Sequence, residues 1–364
     1  MQSLDGSPLS FITHHSSFII TAMFLGYNTN GLAHHDLFDA VELLAEIGYR
    51  GVAITIDHNA LLPGDCPNFR LSENGTVPFS SGETRQRIAR LRALLEKLGM
   101  RSVIETGARF LLDPRVKHEP TLLSDSPRRR IDFYKYAVDC AAELGSDCVS
   151  IWSGKGTEVV VGAGSTRSND SPRQPPPSPS HQQAVGWVER SEPHHDEFSI
   201  AGGARFTRPT LHVSHRQQAM DRLVAGLREV LDYAAAKNVP IAFEPEPGMF
   251  IATMSAFAEL LERIDAPNLR LTLDIGHLQC QAELPIPEVI RRWTSRLANV
   301  HIEDMRRGVH EHLMFGEGEI DFPPVLKTLA EVGYPNGIYV ELSRHSHEGP
   351  TAARRAFEFL QEHG

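Results

Sequence analysis

Short apolar runs alternate with longer stretches of helical periodicity along most of this 364-residue chain. The run 24–28 has the length and aromatic content of a buried strand, and Asp36 then precedes apolar residues at helical spacing that end before Gly48. This pair of elements recurs. The predicted strands are 24–28, 51–56, 101–105, 147–152, 240–244, 270–274, 297–301 and 338–341. The predicted helices are 37–47, 83–98, 127–144, 215–237, 255–264, 287–293, 322–332 and 351–361.

Eight strands that alternate with eight helices predict a parallel sheet with its helices on the outside. Closure of that sheet into a barrel is the simplest arrangement, so the predicted fold class is α/β, a (β/α)8 TIM barrel. In such barrels the residues that carry function lie at the C-terminal ends of the strands and in the loops that follow them.

Two segments break the alternation and are excluded from the predicted barrel. Residues 1–22 lack the basic start and the apolar centre of a signal peptide, and we predict a disordered N-terminal extension. Residues 157–211 are rich in Gly, Ser and Pro and follow neither period, which predicts a disordered low-complexity insertion after the fourth strand. The remaining 287 residues, 23–156 and 212–364, suffice for one barrel domain.

The composition is that of a water-soluble protein, with 41% hydrophobic and 23% charged residues and no run that could span a bilayer. A net charge of -10 gives no basic surface for a nucleic-acid backbone, so we expect neither a nucleic-acid nor a membrane partner. The four cysteines are scattered, which favours free thiols in a reducing cytoplasm. Assembly into a homo-oligomer stays open.

Four consecutive predicted strands end in a residue that can bind a metal. These residues are Glu244, Asp274, His301 and Glu341. An ionised carboxylate beside an apolar strand is costly unless it is compensated, and four such ends in series indicate a shared divalent cation. Three carboxylates and one imidazole suit a single Mn²⁺, Mg²⁺ or Co²⁺ ion, and Zn²⁺ also stays open.

Other polar and aromatic residues give weaker signals. Trp152 ends the fourth predicted strand, where its ring can stack on a sugar or merely close the barrel mouth. Glu246, just past the fifth strand, is a reserve ligand. Arg109 and Lys117 can meet a phosphate, although a solvated loop is the favoured interpretation. The pair at 34–35, both His, is assigned to the surface.

Five motifs lie at or after the ends of the last four predicted strands. They are Phe243-Glu-Pro-Glu-Pro-Gly248, Leu273-Asp-Ile-Gly-His277, Val300-His-Ile-Glu-Asp304, Gly316-Glu-Gly-Glu-Ile-Asp321 and Val340-Glu341. Together they resemble the xylose isomerase-like TIM-barrel superfamily. That group includes sugar and sugar-phosphate isomerases, ketose 3-epimerases, inosose dehydratases and, more distantly, endonuclease IV.

The resemblance implies specific roles for the residues at the strand ends. In the ketose epimerases the corresponding four residues hold one divalent metal, and the two Glu also move the proton. By this resemblance Glu244 and Glu341 are both ligands and catalytic residues, while Asp274 and His301 are ligands.

Two further positions inherit substrate contacts from the ketose epimerases. The His three residues after the metal-binding Asp touches substrate there, which implies the same role for His277. An Arg six residues after the metal-binding His does so as well. Arg307 has that spacing, although Arg306 stands beside it.

The nuclease branch offers a different site chemistry. Endonuclease IV binds three zinc ions and needs further His ligands after strands three and four, where this chain has Glu-Thr at 105–106 and Trp-Ser at 152–153. It also needs an Asp-x-His where this chain has His-Glu-His at 310–312, so the three-zinc cluster looks incomplete. His312 can bind a substrate oxygen or a second metal, or face solvent.

We therefore predict a metal-dependent isomerase or epimerase that acts on a small carbohydrate, a sugar, sugar phosphate or keto-polyol, through an enediolate. A dehydratase that uses the same site is the nearest alternative. A phosphodiester hydrolase like endonuclease IV and a catalytically silent sugar-binding barrel are the others.

Overall fold

The computed structural model of the protein describes residues 23–57, 61, 82–156 and 209–363, without the side chains of residues 83 and 209–214. The predicted extension, residues 1–22, lies outside the described residues. Residues 157–208 of the predicted insertion lie outside them as well, so both assignments stay predictions.

Eight parallel strands close into a barrel in the order β1-β10-β7-β6-β5-β4-β3-β2, which confirms the predicted fold class. The first and last strands complete the ring, with Phe24 beside Gly337 and Tyr27 beside Val340. The barrel strands are β1 Phe24–Asn28, β2 Gly51–Thr55, β3 Arg101–Glu105, β4 Val149–Ile151, β5 Ile241–Phe243, β6 Leu269–Asp274, β7 Leu297–Ile302 and β10 Gly337–Val340. The other two strands are β8 Asp304–Arg306 and β9 Val309–Leu313.

The α-helices follow the predicted pattern closely. They are α1 Leu37–Ile47, α2 Gly82–Leu98, α3 Arg128–Leu144, α4 Pro209–Ala235, α5 Met254–Arg263, α6 Ile275–Cys280, α7 Ile286–Trp293, α8 Phe322–Glu331 and α9 Gly349–His363. The Asp36 side chain caps α1 by accepting from the N–H of Phe38, and Gly48 ends it at a φ of 124°, as the sequence predicted. Helix α4 begins six residues before its predicted start, so residues 209–211, assigned to the insertion, are helical.

Two short elements that the sequence analysis did not predict lie at the C-terminal mouth of the barrel. Helix α6 directly follows β6, and the Asp274 carboxylate caps it by accepting from the N–H of His277 at 2.8 Å. Strands β8 and β9 form an antiparallel hairpin after β7, and Gly308 in its turn has a φ of 73°. A six-residue helix and a three-residue strand are too short to show a period, so the sequence pattern does not predict them.

The inside of the barrel holds a small apolar cluster that is separate from the larger core between strands and helices. The ring of Tyr339 fills its lower end, where three glycines leave room for it. A Cβ on Gly26 would lie 2.3 Å from that ring, one on Gly337 2.6 Å and one on Gly51 3.0 Å. The other members of the cluster are Ala53, Val103, Cys148, Ala242 and Ala298, with Phe24 packed against them.

Among the described residues, no helix is both long and apolar enough to cross a bilayer. The cysteines at positions 140, 148 and 280 are free and buried; Cys66 lies outside the described residues.

Candidate active site

The barrel brings the four predicted ligands together at its C-terminal mouth. They follow or end four strands that are neighbours in the closed sheet, β5, β6, β7 and β10. One ligating atom from each of Glu244, Asp274, His301 and Glu341 lies within 4.8 Å of the others. Because parallel strands place their C-terminal ends at one edge, residues nearly 100 positions apart can share one site.

Nδ1 of His301 faces three carboxylates. It lies 3.2 Å from Oε1 of Glu244, 3.0 Å from Oε2 of Glu341 and 3.9 Å from Oδ2 of Asp274. Oδ2 of Asp274 is buried and has no hydrogen-bond partner among the described residues, while Oδ1 caps α6. An unpaired buried carboxylate oxygen among like charges is costly, so this arrangement fits a cation held between the four side chains.

Two residues outside the predicted set orient these ligands. Oε1 of Glu105 lies 2.9 Å from Nε2 of His301 and also accepts from the Asn299 amide at 3.0 Å. A carboxylate beside Nε2 favours the proton on that nitrogen, which leaves the Nδ1 lone pair for a metal. On the other side, Asn30 donates from Nδ2 to Oε1 of Glu341 at 2.8 Å.

Burial and mutual repulsion shape the acid–base properties of the ligands. Burial raises the pKa of Glu244 to about 8. Burial alone would also raise the pKa of Asp274 and Glu341, but His301 and His312 hold both below their ordinary values. Of the three carboxylates, Glu244 therefore holds a proton most readily. The reserve ligand Glu246 is not part of the group of four in the described structure, and burial raises its pKa to about 7.

Three histidines form a second cluster next to the ligands. The rings of His277, His310 and His312 each offer a nitrogen within 4.8 Å of the others. The cluster adjoins the first group, since Nε2 of His277 lies 3.6 Å from Oδ2 of Asp274. His312 is thus turned toward the site, and its side chain is only 16% exposed. The sequence prediction of substrate roles for two of these residues is compatible with this position and stays a prediction.

The charge states of the three rings differ. His277 donates from Nδ1 to the carbonyl of Pro245 at 3.2 Å, so a neutral ring presents Nε2 as an acceptor to Nε2 of His310, 3.1 Å away. Burial lowers the pKa of His277, and it lowers that of His310 to about 3, which keeps both rings neutral. Burial opposes the charged form of His312 as well, but the carboxylates of Glu303, Glu341 and Asp274 together outweigh it and raise that pKa to about 10.

Asp304 fixes the hairpin that carries two of these histidines. Its Oδ1 accepts from the N–H groups of Met305 and Ile320 at 2.9 and 3.2 Å, and its Oδ2 accepts from those of Gly316 and Gly318 at 2.9 Å each. A Cβ on Gly318 would lie 2.2 Å from Oδ1. The Gly-Glu-Gly-Glu-Ile motif is therefore a loop that wraps a carboxylate, and it anchors the hairpin at the barrel mouth.

The other two predicted substrate residues lie apart from this centre. Arg307 is exposed in the turn of the hairpin, where its backbone N–H donates to Glu319 at 3.2 Å. Trp152 is 7% exposed, with its ring edge-on to His118 at 5.1 Å and 5.4 Å from the guanidinium of Arg130. Trp152 thus packs against His118 and Arg130 beside β4, and a substrate role for either Arg307 or Trp152 stays a prediction.

A buried arginine holds the loop after β3. Arg130 is fully buried and donates to the backbone carbonyls of His118, Pro120 and Thr106 at 2.6, 2.8 and 3.3 Å. These three hydrogen bonds to carbonyl oxygens stabilise the charge of the buried guanidinium. The loop that walls the mouth on this side is thereby tied to α3.

His118 in this loop is expected to make the folded protein sensitive to mild acid. Burial lowers its pKa from 6.5 to about 4, although the carbonyl of Gly107, 2.8 Å from Nδ1, favours the protonated ring. A histidine whose pKa is lower in the folded protein than in the unfolded chain makes folding less favourable as the pH falls from the unfolded pKa to the folded one. The free energy of unfolding should drop by up to about 3 kcal/mol over this window through this residue.

Denaturant unfolding of the wild type and of His118→Asn at about pH 7.5 and pH 4.5 measures this contribution. Asparagine tolerates the positive φ of 68° at this position and does not ionise. Relative to the wild type, the free energy of unfolding of His118→Asn should be higher at pH 4.5 than at pH 7.5. The exposed His34→Asn is the matched control, and a difference from the wild type that is independent of pH contradicts the prediction.

A cavity of about 280 Å³ opens beside the ligand group. Asn30, which donates to Glu341, forms part of its wall, with Thr55, Asp57 and Arg109. The histidines at 34 and 35 also line it, the first exposed and the second half-buried. Oδ1 of Asn30 is buried and has no hydrogen-bond partner among the described residues.

The family model described as "Xylose isomerase-like TIM barrel" matches residues 198–363. An uncharacterized protein of Methanocaldococcus jannaschii is 30% identical over 137 residues, 36% of this chain and 47% of the relative. An inosose dehydratase of Clostridium tetani is 30% identical over 136 residues, 33% of this chain and 45% of the relative. An L-ribulose-5-phosphate 3-epimerase of Salmonella paratyphi A is 28% identical over 160 residues, 43% of this chain and 56% of the relative. The chain therefore spans about half the length of the curated relatives it matches.

Solved structures with the same fold cover nearly the whole chain. A D-tagatose 3-epimerase-like protein superposes with a TM-score of 0.59 at 20% identity and covers 93% of this chain and 99% of its own. The D-psicose 3-epimerase of Clostridium cellulolyticum H10 in complex with D-tagatose does so with a TM-score of 0.59 at 16% identity, over 94% and 99%. The family model confirms the resemblance stated from the motifs, and these structures confirm the barrel.

Proposed function

We propose that this protein is a metal-dependent isomerase or epimerase of a sugar, sugar phosphate or related keto-polyol, with an enediolate intermediate. The observation that carries the proposal is the convergence of three carboxylates on Nδ1 of His301 at the barrel mouth, with Glu244 at 3.2 Å and Glu341 at 3.0 Å. Two carboxylates that flank one point can reach two sides of a substrate held there.

The residues present fit one divalent cation. The side chains that would hold it are those of Glu244, Asp274, His301 and Glu341. The buried Oδ2 of Asp274 has no hydrogen-bond partner among the described residues. Glu105 orients the ring of His301. The oxygen-rich donor set suits Mn²⁺, Mg²⁺ or Co²⁺, and Zn²⁺ also binds such ligands. When bound, the cation would polarise the substrate carbonyl and stabilise the negative charge of an enediolate.

The chain's own residues would move the proton and orient the substrate. Glu244 and Glu341 would take a proton from carbon and return it. Asn30 holds the Glu341 carboxylate in place. His277 lies beside Asp274 and, with His312, would contact hydroxyl groups of the substrate.

A dehydratase is the second candidate function. The observation that favours it is the match to inosose dehydratases over about a third of this chain. Its first step would be the same proton removal, and loss of a β-hydroxyl would follow. His312, whose raised pKa of about 10 keeps it protonated at neutral pH, could supply a proton to that leaving group.

The three-histidine cluster keeps the phosphodiester hydrolase under consideration, because imidazole nitrogens within 4.8 Å of one another can hold a second ion. Salt-sensitive binding of duplex DNA and its cleavage would favour this function. The absence of a nucleic-acid partner, the cytoplasmic location and the oligomeric state stay predictions.

Solvent-deuterium uptake tests the proposal. The protein, loaded separately with Mg²⁺, Mn²⁺ and Co²⁺, is incubated in D2O with a panel of keto-sugars, sugar phosphates and keto-inositols, and the products are analysed by NMR. We expect metal-dependent deuterium incorporation next to a carbonyl, with an epimer or isomer as the product. Loss of a hydroxyl instead identifies the dehydratase, and no exchange with any metal, together with DNA cleavage, contradicts the proposal.

A further inference from the structure

A buried glutamate next to the metal-binding histidine has no role in the proposed chemistry. Glu303 lies between β7 and β8 with 0% of its surface exposed, and neither of its carboxylate oxygens has a hydrogen-bond partner in the part of the chain that the structure describes. Removing a carboxylate from water without compensation costs several kcal/mol, on the order of the whole stability margin of many domains. A carboxylate in such a position needs a hydrogen-bond donor from a neighbouring residue.

The fold makes room for this side chain with a glycine. A Cβ on Gly276 in α6 would lie 2.0 Å from Oε1 of Glu303 and 2.9 Å from Cε of Met305. Any other residue at position 276 would therefore displace the carboxylate or the helix. The Gly of the Asp-Ile-Gly-His motif and the Glu of the His-Ile-Glu-Asp motif are two halves of one contact.

The partner that faces Glu303 is His312 on β9. Nδ1 of His312 lies 3.7 Å from Oε1 of Glu303, and no described residue forms a hydrogen bond with this buried nitrogen. The gap exceeds a typical N–H···O distance by about 0.8 Å, so a small rotation of the ring closes it. Two unpaired polar atoms that face each other in a closed space are each other's natural partners.

We propose that Glu303 is a positioning residue that accepts a hydrogen bond from Nδ1–H of His312 and so leaves Nε2 of that ring to face the substrate. The rings of His277 and His310, with centroids 6.0 and 5.4 Å from that of His312, border the same space. The substrate contact rests on the proposed function, whereas the proton position on His312 does not. Carboxylates hold functional histidines in place in this way in many sites, through a hydrogen bond to one ring nitrogen.

The first experiment reads the proton position directly. Nitrogen NMR of the Mg²⁺-loaded full chain with ¹⁵N-labelled histidine, with His312 assigned by His312→Gln, should show a proton on Nδ1 in the wild type. Glu303→Leu and Gly276→Ala should both remove the hydrogen bond of this Nδ1 proton. Glu303→Gln keeps an acceptor oxygen and should retain the hydrogen bond in part. Glu319→Gln, an exposed carboxyl on the loop after the hairpin, is the matched control and should leave the His312 signals unchanged.

A wild-type His312 without a proton on Nδ1 overturns the proposal, and so does an unchanged spectrum in both Glu303→Leu and Gly276→Ala. Should Glu303→Leu fail to fold, the Gln and Ala variants decide the question. This readout needs no turnover, so it separates a failure of the positioning role from a failure of the proposed function.

The second experiment uses kinetics with a substrate found by deuterium uptake. Glu303→Leu should lower kcat/KM by about ten- to hundredfold, the usual effect of losing a residue that orients a functional histidine. Combined with His312→Gln it should cause no further loss, because both changes remove the same interaction, and Glu303→Gln should recover part of the activity. Multiplicative losses in the double variant overturn the proposal.

Discussion

Replacement of Asp274 or His301 by alanine is expected to remove the tightly bound divalent metal from this protein. Each side chain supplies one of four ligating atoms that lie within 4.8 Å of one another, and both are almost fully buried. Loss of one ligand leaves three groups and a void in which water must substitute. Elemental analysis after dialysis should find about one ion per chain in the wild type and none in either variant.

The same variants should lose the stability that the metal confers. Binding to the folded state alone adds about 3 to 4 kcal/mol when the ion is present at 100 to 1,000 times its Kd. A chelator should therefore lower the Tm of the wild type by several degrees and leave that of the variants unchanged.

Two controls separate metal loss from local damage. Asp274→Asn keeps an oxygen that can cap α6 through the N–H of His277 and should still lose the metal. Glu246→Gln should retain it, since this residue is not one of the four. Full metal content in both alanine variants would show that the ligands are other residues.

Glu244→Gln and Glu341→Gln are each expected to lower turnover by about two to four orders of magnitude. Glutamine keeps the size of the side chain and a ligating oxygen while removing the basic carboxylate. The two residues approach Nδ1 of His301 from separate strands, β5 and β10, which flank β6 and β7 in the closed sheet. Each carboxylate would therefore face one side of a substrate held between them.

Solvent-deuterium exchange from each epimer separately distinguishes the two carboxylates. One variant should block exchange from the first epimer and the other from the second, with metal content retained in both. Unimpaired exchange in both variants would rule out the two-base mechanism. Loss of exchange in only one of them would indicate a single base, as an aldose–ketose isomerase requires.

The sequence predicted the scaffold because the scaffold depends on local patterns. Strand β3 has the predicted bounds, and the capped helix α1 begins and ends where Asp36 and Gly48 require. The four ligands could be predicted because each ends an apolar run and parallel strands bring such ends together.

The orienting residues could not be predicted, because their partners come from distant parts of the chain. Glu105 and His301 are 196 positions apart, and Asn30 and Glu341 are 311 apart. Glu105 did carry a usable signal, since it ends the third strand as the four ligands end theirs. In the comparison with endonuclease IV, Glu105 counts only as a residue that is not a zinc-binding histidine. Asn30 and Glu303 have no such signal, since one lies in a turn and the other looks like part of a solvated loop.

The glycines around Tyr339 restrict how this chain can change over time. Any side chain added at Gly26, Gly51 or Gly337 meets the tyrosine ring within 3.0 Å, and loss of the ring alone would leave a hole that three glycines cannot fill. Gly26, Gly51 and Gly337 can therefore be replaced by larger residues only if position 339 changes to a smaller residue at the same time. In a collection of related barrels these four positions should co-vary, which would let this lineage be recognised from the floor of the barrel without reference to its catalytic end.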